Sequence, residues 1–471
     1  MFRISLSSAK FVLLCCLALP AAVTYAGELP AAIADALKRA KIPVAAVAIH
    51  VQDVNQTEPL LTFNAERAMN PASVMKLLST YAALEILGPA YRWKTDVYHQ
   101  GVWKDQQLTG DLIFKGYGDP KITLEAFWLM LRDLRQRGLK DLRGNLVLDR
   151  SYFDIPDEDA AAFDSEPNKP YNLAPDALLV NFRAHRVRLL TLNETTRPRI
   201  VLDPEIPQRP LVNAIKLIDG PCGDWKEKIR YQVGVSISFG GQFSSACDER
   251  ALHLVLQERN AYFGLLFKQL WEQLGGSWQG EVLEGRVNSS AVRLAGFESP
   301  PLAEIIRDIN KYSNNVMARH LFLTLGAEIR GAPATSAKSV DAIHDWLASK
   351  KQRFLELVLE NGSGLSRNER ISAQHLAELL RAAFHSRVFA ELESSLPIVA
   401  VDGTMKKRLA QASVSGHAHI KTGYLKEVRA LAGYVFDAQG RRMAVVCLIN
   451  HAHADQGGAV QDALLEWVFE R

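Results

Sequence analysis

The sequence predicts an α+β protein in which an antiparallel sheet flanked by helices is built from the two ends of the chain and interrupted by a large β-rich insertion. Three observations lead there. Met75, Leu78, Ala82 and Ile86 recur at near-helical spacing within Val74 to Leu87, and Gly88-Pro89 stops the run. Near the other end, Ala430 to Phe436 and Met443 to Ile449 are apolar runs joined across Gln439-Gly440, the pattern of a hairpin. Between them lie short alternating runs broken by prolines and glycines, such as Val187 to Leu192 and Tyr231 to Phe239.

In chain order, residues 1–26 read as a cleavable secretory signal. Arg3 and Lys10 form its basic part, Phe11 to Leu19 its apolar core, and Thr24-Tyr25-Ala26 its cleavage site. The apolar run is short for a membrane span. Cys15 and Cys16 are preceded by leucines rather than by the small residue that a lipoprotein signal prefers. Leu29 to Ala40 reads as a helix and Val44 to Val54 as strands. With the helix after Ser73 they open a first domain, residues 27–91. Residues 92–167, with a helix around Leu124 to Gly138, join residues 257–289 in a second domain, and residues 168–256 form a β-rich third. From residue 290 to 471 the first domain resumes, with a helix at Leu302 to Ile309, a strand at Ala418 to Leu425, the hairpin, and a last helix at Ala459 to Phe469. A length of 471 residues suits several domains, at about 100–200 residues each.

The composition is that of a globular protein, 48% apolar and 23% charged, with a formal net charge of +3. Loss of the signal removes Arg3 and Lys10 and no acid, leaving about +1. Such a balance gives no electrostatic case for nucleic acid or for an anionic membrane surface. Cys222 and Cys247 flank a loop of moderate length in an exported chain, which leaves a disulfide open. Cys447, inside an apolar strand run, reads as a buried thiol. His417-Ala418-His419 and His451-Ala452-His453 place histidines at strand spacing. No neighbouring acid or cysteine completes a zinc site in either segment, so neither a metal nor a cofactor is expected.

Three short strings carry the chemistry. In Ser73-Val74-Met75-Lys76 the hydroxyl and the amine are three residues apart, on one helix face and within mutual reach. A serine needs a base to become a nucleophile, and Lys76 is one only if burial or a nearby cation lowers its proton affinity. Lys421 is the candidate cation. Ser313-Asn314-Asn315 follows a helical run. Ser313 can relay a proton to a leaving nitrogen, and Asn315 can hold a substrate amide and orient Lys76. Lys421-Thr422-Gly423 falls on a strand, expected at a sheet edge facing a cleft. There Lys421 offers a fixed charge to a substrate carboxylate, Thr422 a hydroxyl, and Gly423 close access to the backbone. The backbone N–H groups of Ser73 and Tyr424 are the candidate oxyanion donors. Each string alone reads more simply as a helix cap or a turn. Their order, each in its structural context, makes the set specific to serine acyl transfer.

The ordered set resembles that of the low-molecular-mass, class C penicillin-binding proteins, the D-alanyl-D-alanine carboxypeptidases and endopeptidases of the periplasm or cell surface. Asn361-Gly362-Ser363-Gly364-Leu365-Ser366-Arg367 is similar to a family string that begins with Asp, so Asn361 is a departure that puts one local hydrogen bond in question. Gly118-Asp119-Pro120, Asn70-Pro71-Ala72-Ser73 and Gly403-Thr404-Met405-Lys406-Lys407-Arg408 are also similar. The 240 residues from Ser73 to Ser313 match the large insert that class C members carry, and exceed what a compact β-lactamase needs. The resemblance implies a β-lactamase/transpeptidase-like catalytic domain, a Ser73 acyl-enzyme, and peptidoglycan stem peptides and β-lactam antibiotics as partners. By the same resemblance, Glu166 and Arg367 are candidates for binding the diamino acid of the stem peptide. A β-lactamase and a non-catalytic peptidoglycan-binding protein are the competing readings. A homodimer and weak association with cell-wall machinery remain open.

Overall fold

A computed structural model describes residues 28–192 and 196–471. The secretory signal expected at residues 1–26 lies outside the described residues. Five antiparallel strands form the sheet that organises the molecule, in the order Ala418–Leu425, Val428–Phe436, Arg442–Asn450, Val47–Asp53 and Leu61–Phe63. The two ends of the chain thus pair directly, as the sequence led us to expect. Both faces are buried, which explains the unbroken apolar runs of its central strands. Ala430, Ala432, Tyr434, Ala444, Val446 and Leu448 face one core with the helices Lys76–Leu87, Leu302–Lys311, Asn315–Arg330 and Ala373–Phe384. The alternate residues Leu431, Val435, Val445, Cys447 and Ile449 face the other, with Ala31–Arg39 and Gly458–Phe469. A two-residue period sends neighbours to opposite faces, so one register serves both cores. Cys447 is a free buried thiol that burial pushes up to about 12.

The insertion contains a seven-stranded sheet packed on the helices Leu124–Gln136 and Arg259–Gln273, and two three-stranded sheets around a separate core. The seven-stranded sheet includes Val292–Glu298, which pairs with Lys94–Lys104, so it draws on the chain beyond residue 289. Cys222 and Cys247 are disulfide-bonded across 25 residues. The run Tyr231 to Phe239, expected as one strand, is two: Ile229–Val233 and Ile237–Ser244 fold back on each other as an antiparallel pair. Gly234 breaks the run, and its N–H bonds the Ser236 carbonyl at 3.0 Å, leaving Val235 exposed at the tip. The helix expected from Val74 also begins later. Ala72–Met75 is a 3-10 turn, entered through Ala72 at φ +44°, and the α-helix starts at Lys76.

The insertion is fastened to the helix that Asn315 opens. Arg319 binds both oxygens of Glu158 at 2.5 and 2.6 Å, and Leu173 O at 3.2 Å. The buried His320 bonds Gly118 O through Nδ1 and accepts the Asp176 N–H at Nε2, each at 3.2 Å. Closure of the 25-residue interval by the disulfide is worth about 3 kcal/mol in the chain-entropy view. Cys222→Ser should therefore sensitise the β-rich part to limited proteolysis, while calorimetry shows the five-stranded sheet and its helices unfolding at an unchanged temperature.

Candidate active site

Ser73 sits where three pieces of chain converge, and its turn is held by two residues far apart in sequence. Asn70 Oδ1 accepts the Ala72 N–H at 2.8 Å, and its Nδ2 donates to Ser366 O at 2.8 Å. Asn450, at the end of a central strand, accepts the Asn70 N–H at 2.8 Å and donates to its carbonyl at 3.0 Å. These bonds support Ala72 in the left-handed region, a strained state for alanine. Ser73 is not the helix cap that its residue type suggests: Pro71 occupies that position, with no side-chain cap.

Two glycines let other segments close on this turn. A Cβ on Gly364, itself at φ +79°, would collide with the Ala72 carbonyl. A Cβ on Gly423 would lie 2.6 Å from Pro71 O and 3.1 Å from Ser73 N. The sequence suggested that Gly423 clears the way for a peptide. Its missing side chain also admits the Ser73 turn itself.

Lys76 is fully buried. Its Nζ donates to Ser73 Oγ at 2.9 Å, to Asn315 Oδ1 at 2.7 Å, and to the Ser363 carbonyl. Burial holds its proton affinity well below that of an ordinary lysine, and Lys421 lowers it further, while Glu369 acts in the opposite direction. Lys421 is also fully buried and donates to Ser313 Oγ at 2.9 Å and Thr422 O at 2.7 Å. Burial pushes it down to about 7, so its charge is not fixed but changes near neutral pH. Thr422 Oγ1 shares a 2.8 Å hydrogen bond with Thr404 Oγ1. Ser313 has φ +56° in the turn between two helices. Asn314 caps the second by accepting the Met317 N–H at 3.0 Å, and Asn315 is its first residue. The turn that the residue types suggest is thus what aims Ser313 and Asn315.

The strand Ala418–Leu425 is an edge, as expected. Pro397 and Val399 cover its start, through Ile420 N to Pro397 O at 2.8 Å and Val399 N to Ala418 O at 2.9 Å. Beyond that cover, Thr422, Tyr424 and Leu425 line a cleft of about 730 Å³ that also contains Ser73, Ser313 and Asn315. Asn361 keeps the local bonding that its departure from Asp put in question. Its Oδ1 accepts from Ser363 N at 2.9 Å and Ser363 Oγ at 2.6 Å, and its Nδ2 donates to Leu365 O at 3.0 Å, a bond no carboxylate could make.

Arg367 lines the cleft, donates to Lys426 O at 3.0 Å, and lies 4.6 Å above the Phe163 ring. Glu166 is not among the cleft residues. It is exposed and accepts a bond from Tyr231 at 3.2 Å, while Asp164 reaches the cleft and is held by Tyr171 at 2.9 Å and Asn172 at 2.7 Å. Sequence reasoning missed Phe163, Asp164, Phe182 and His253. For the first three the available signal was the long stretch without periodicity between Asp149 and His185, which contains only two 3-10 turns; His253 lies on the strand Glu249–Leu254, where no such signal exists. Among the described residues, no group of three or more metal-ligating side chains converges.

A serine and a buried lysine in contact, beside a second such pair at the open edge of an antiparallel sheet, define a serine enzyme that works through an acyl intermediate. Comparison with known proteins makes the class specific: the chain belongs to the D-Ala-D-Ala carboxypeptidase 3 (S13) family, which matches residues 29–470, and it is a serine peptidase. It is 25% identical to the D-alanyl-D-alanine carboxypeptidase DacB of Haemophilus influenzae over 85% of this chain and 84% of that protein. To the D-alanyl-D-alanine carboxypeptidase of Actinomadura sp. strain R39 it is 28% identical, over 88% and 79%. The crystal structure of penicillin binding protein 4 from H. influenzae shares the fold, with a TM-score of 0.77 at 23% identity, covering 93% of this chain and 99% of that one.

Removing the Asn70 side chain strands the buried Ala72 N–H, which costs about 1–3 kcal/mol. Asn70→Ala should lower the thermal stability of the catalytic part and slow acylation of Ser73, as read by stopped-flow labelling with a fluorescent penicillin.

Proposed function

We propose that the protein is a periplasmic D-alanyl-D-alanine carboxypeptidase and endopeptidase, which trims peptidoglycan stem peptides and opens their cross-links through a Ser73 acyl-enzyme that β-lactams also form. The observation that carries this reading is the bonding of Lys76. A neutral amine has two N–H donors and one lone pair. With Asn315 Oδ1 and the Ser363 carbonyl taking the two donors, deprotonation of Lys76 reverses its 2.9 Å contact with Ser73, so that the hydroxyl donates to the lone pair.

Lys76 takes the Ser73 proton as Oγ attacks the carbonyl carbon of a D-Ala-D-X bond. The backbone N–H groups of Ser73 and Tyr424 receive the developing oxyanion. Ser313, bonded to Lys421, passes a proton to the leaving nitrogen, and the C–N bond breaks. Lys76 returns the proton taken from Ser73 to Ser313 and is neutral again; it then accepts a proton from water as the water oxygen attacks the ester carbonyl, and gives it to Ser73 Oγ as the C–O bond breaks. With a β-lactam the leaving nitrogen stays tethered to the acyl group, which hinders the water. Lys421 with Thr422 binds the carboxylate of the leaving part. Arg367, Phe163 and Asp164 offer a cation, an apolar face and an acid to the diamino side chain of the stem peptide, with Asp164 in the place first considered for Glu166.

Intact-mass analysis with a labelled penicillin should show one persistent adduct, mapped to Ser73 and absent in Ser73→Ala, and digestion of cross-linked muropeptides should release both D-alanine and monomers. Labelling retained in Ser73→Ala would overturn the assignment. A second expectation concerns pH. Lys421 loses its charge as pH rises through about 7 in the free enzyme. The kcat/KM for a carboxylate-terminated peptide should then fall on the alkaline side of neutrality, and a matched amide-terminated peptide should lack that limb.

A further inference from the structure

Glu369 is an acid that the reaction above does not use. It is fully buried, yet its two oxygens are treated differently. Oε1 accepts three backbone N–H bonds, from Glu360 at 3.1 Å, Asn361 at 3.0 Å and Gly362 at 3.2 Å. Oε2 is buried without a hydrogen-bond partner. A half-satisfied carboxylate in a core is costly unless a charge nearby offsets it. The turn it gathers delivers the Ser363 carbonyl to Lys76 Nζ, and Ser79 secures the same turn by donating to Gly362 O at 2.7 Å. The other groups around Lys76 are Ser73 on its own turn, Asn315 at the start of the neighbouring helix, and Lys421 on the edge strand. Among these Glu369 alone is an acid, and a carboxylate there opposes the effects of burial and of Lys421 on Lys76.

We propose that Glu369 is a positioning residue for the proton-accepting Lys76: through the 360–363 turn it fixes the carbonyl that orients the amine, and its charge sets how readily that amine takes the serine proton. This rests on the Ser73–Lys76 reading above. A simple turn anchor would need only an acceptor oxygen. The second role needs the negative charge: burial raises the Glu369 carboxyl above its ordinary range, and the three N–H bonds on Oε1 and the charge of a protonated Lys76 act against that rise.

The two roles separate in Glu369→Gln, which keeps an acceptor for the three N–H groups and removes the charge. A negative Glu369 favours the protonated form of Lys76, so its loss lets Lys76 shed its proton at lower pH. The acid limb of the pH profile for penicillin acylation of Ser73 should move to lower pH by about one unit. In Glu369→Asp, which keeps the charge on a shorter arm, the limb should stay where it is while the rate falls. Where Glu369→Gln does not fold, isotope-edited infrared titration of the wild-type enzyme supplies the readout. The Glu369 band, assigned by its change in Glu369→Asp, should shift across the same pH interval as the acid limb. An acid limb in Glu369→Gln that coincides with the wild type, or an unmoved infrared band, overturns the proposal. Absence of any Ser73 adduct in the folded wild type would overturn the acyl-enzyme reading beneath it.

Discussion

The structure depends on keeping one lysine amine in a place that water does not reach. Lys76 is fully buried, and an ammonium there would forfeit its hydration, so burial favours the neutral, basic form. The neutral form is useful only if its lone pair faces a proton. That direction is fixed from outside the helix, by an amide at the start of another helix and a carbonyl of a distant turn. No local stretch of sequence can supply such a constraint, and the long-range pairing of the two chain ends in one sheet makes it available. Lys421 repeats the arrangement one step away, with Ser313 in place of Ser73. Two depressed lysines, each touching a hydroxyl, thus stand beside one cleft.

The backbone around the site is strained where the chemistry needs it. Ala72 and Ser313 both adopt left-handed conformations that other residues avoid, and both precede functional side chains by no more than two positions. The strain at Ala72 is supported by the reciprocal bonds of Asn70 and Asn450, and the space is made by Gly364 and Gly423. The glycine of the Lys421-Thr422-Gly423 string is therefore a packing requirement of the nucleophile's own turn.

Much of this was legible in the sequence because the motifs coincide with simple local physics. A helical run, a hairpin and an ordered set of strings single out Ser73, Lys76, Ser313, Asn315 and Lys421, and the structure places them in two bonded groups, Ser73–Lys76–Asn315 and Ser313–Lys421. What was not legible has identifiable causes. Periodicity cannot separate a 3-10 turn from the α-helix that follows it, so the onset at Lys76 was missed. It also cannot place a stretch with no period, and the cleft residues Phe163, Asp164 and Tyr171 lie in such a stretch. Residue type does not separate Glu166 from Asp164, two residues away, and it is Asp164, bonded by Asn172 and Tyr171, that lines the cleft. The state of Lys421 depends on burial, which residue type alone does not reveal.

One helix joins the insertion directly to the residues around Lys76. Asn315, which orients Lys76, opens it, and Arg319 and His320, one turn further on, hold Glu158, Leu173, Gly118 and Asp176 of the insertion. Phe163 and Asp164 lie between the Glu158 and Leu173 anchors, so this stretch is tethered on both sides before it reaches the cleft. His253, carried by the β-rich sheets, meets the same cleft from beyond. A rigid helix that carries both the lysine's partner and the insertion's anchors ties the position of the cleft wall to the position of the base. The insertion thus supplies Phe163, Asp164, Tyr171, Phe182 and His253 to the wall of the cleft that contains Ser73.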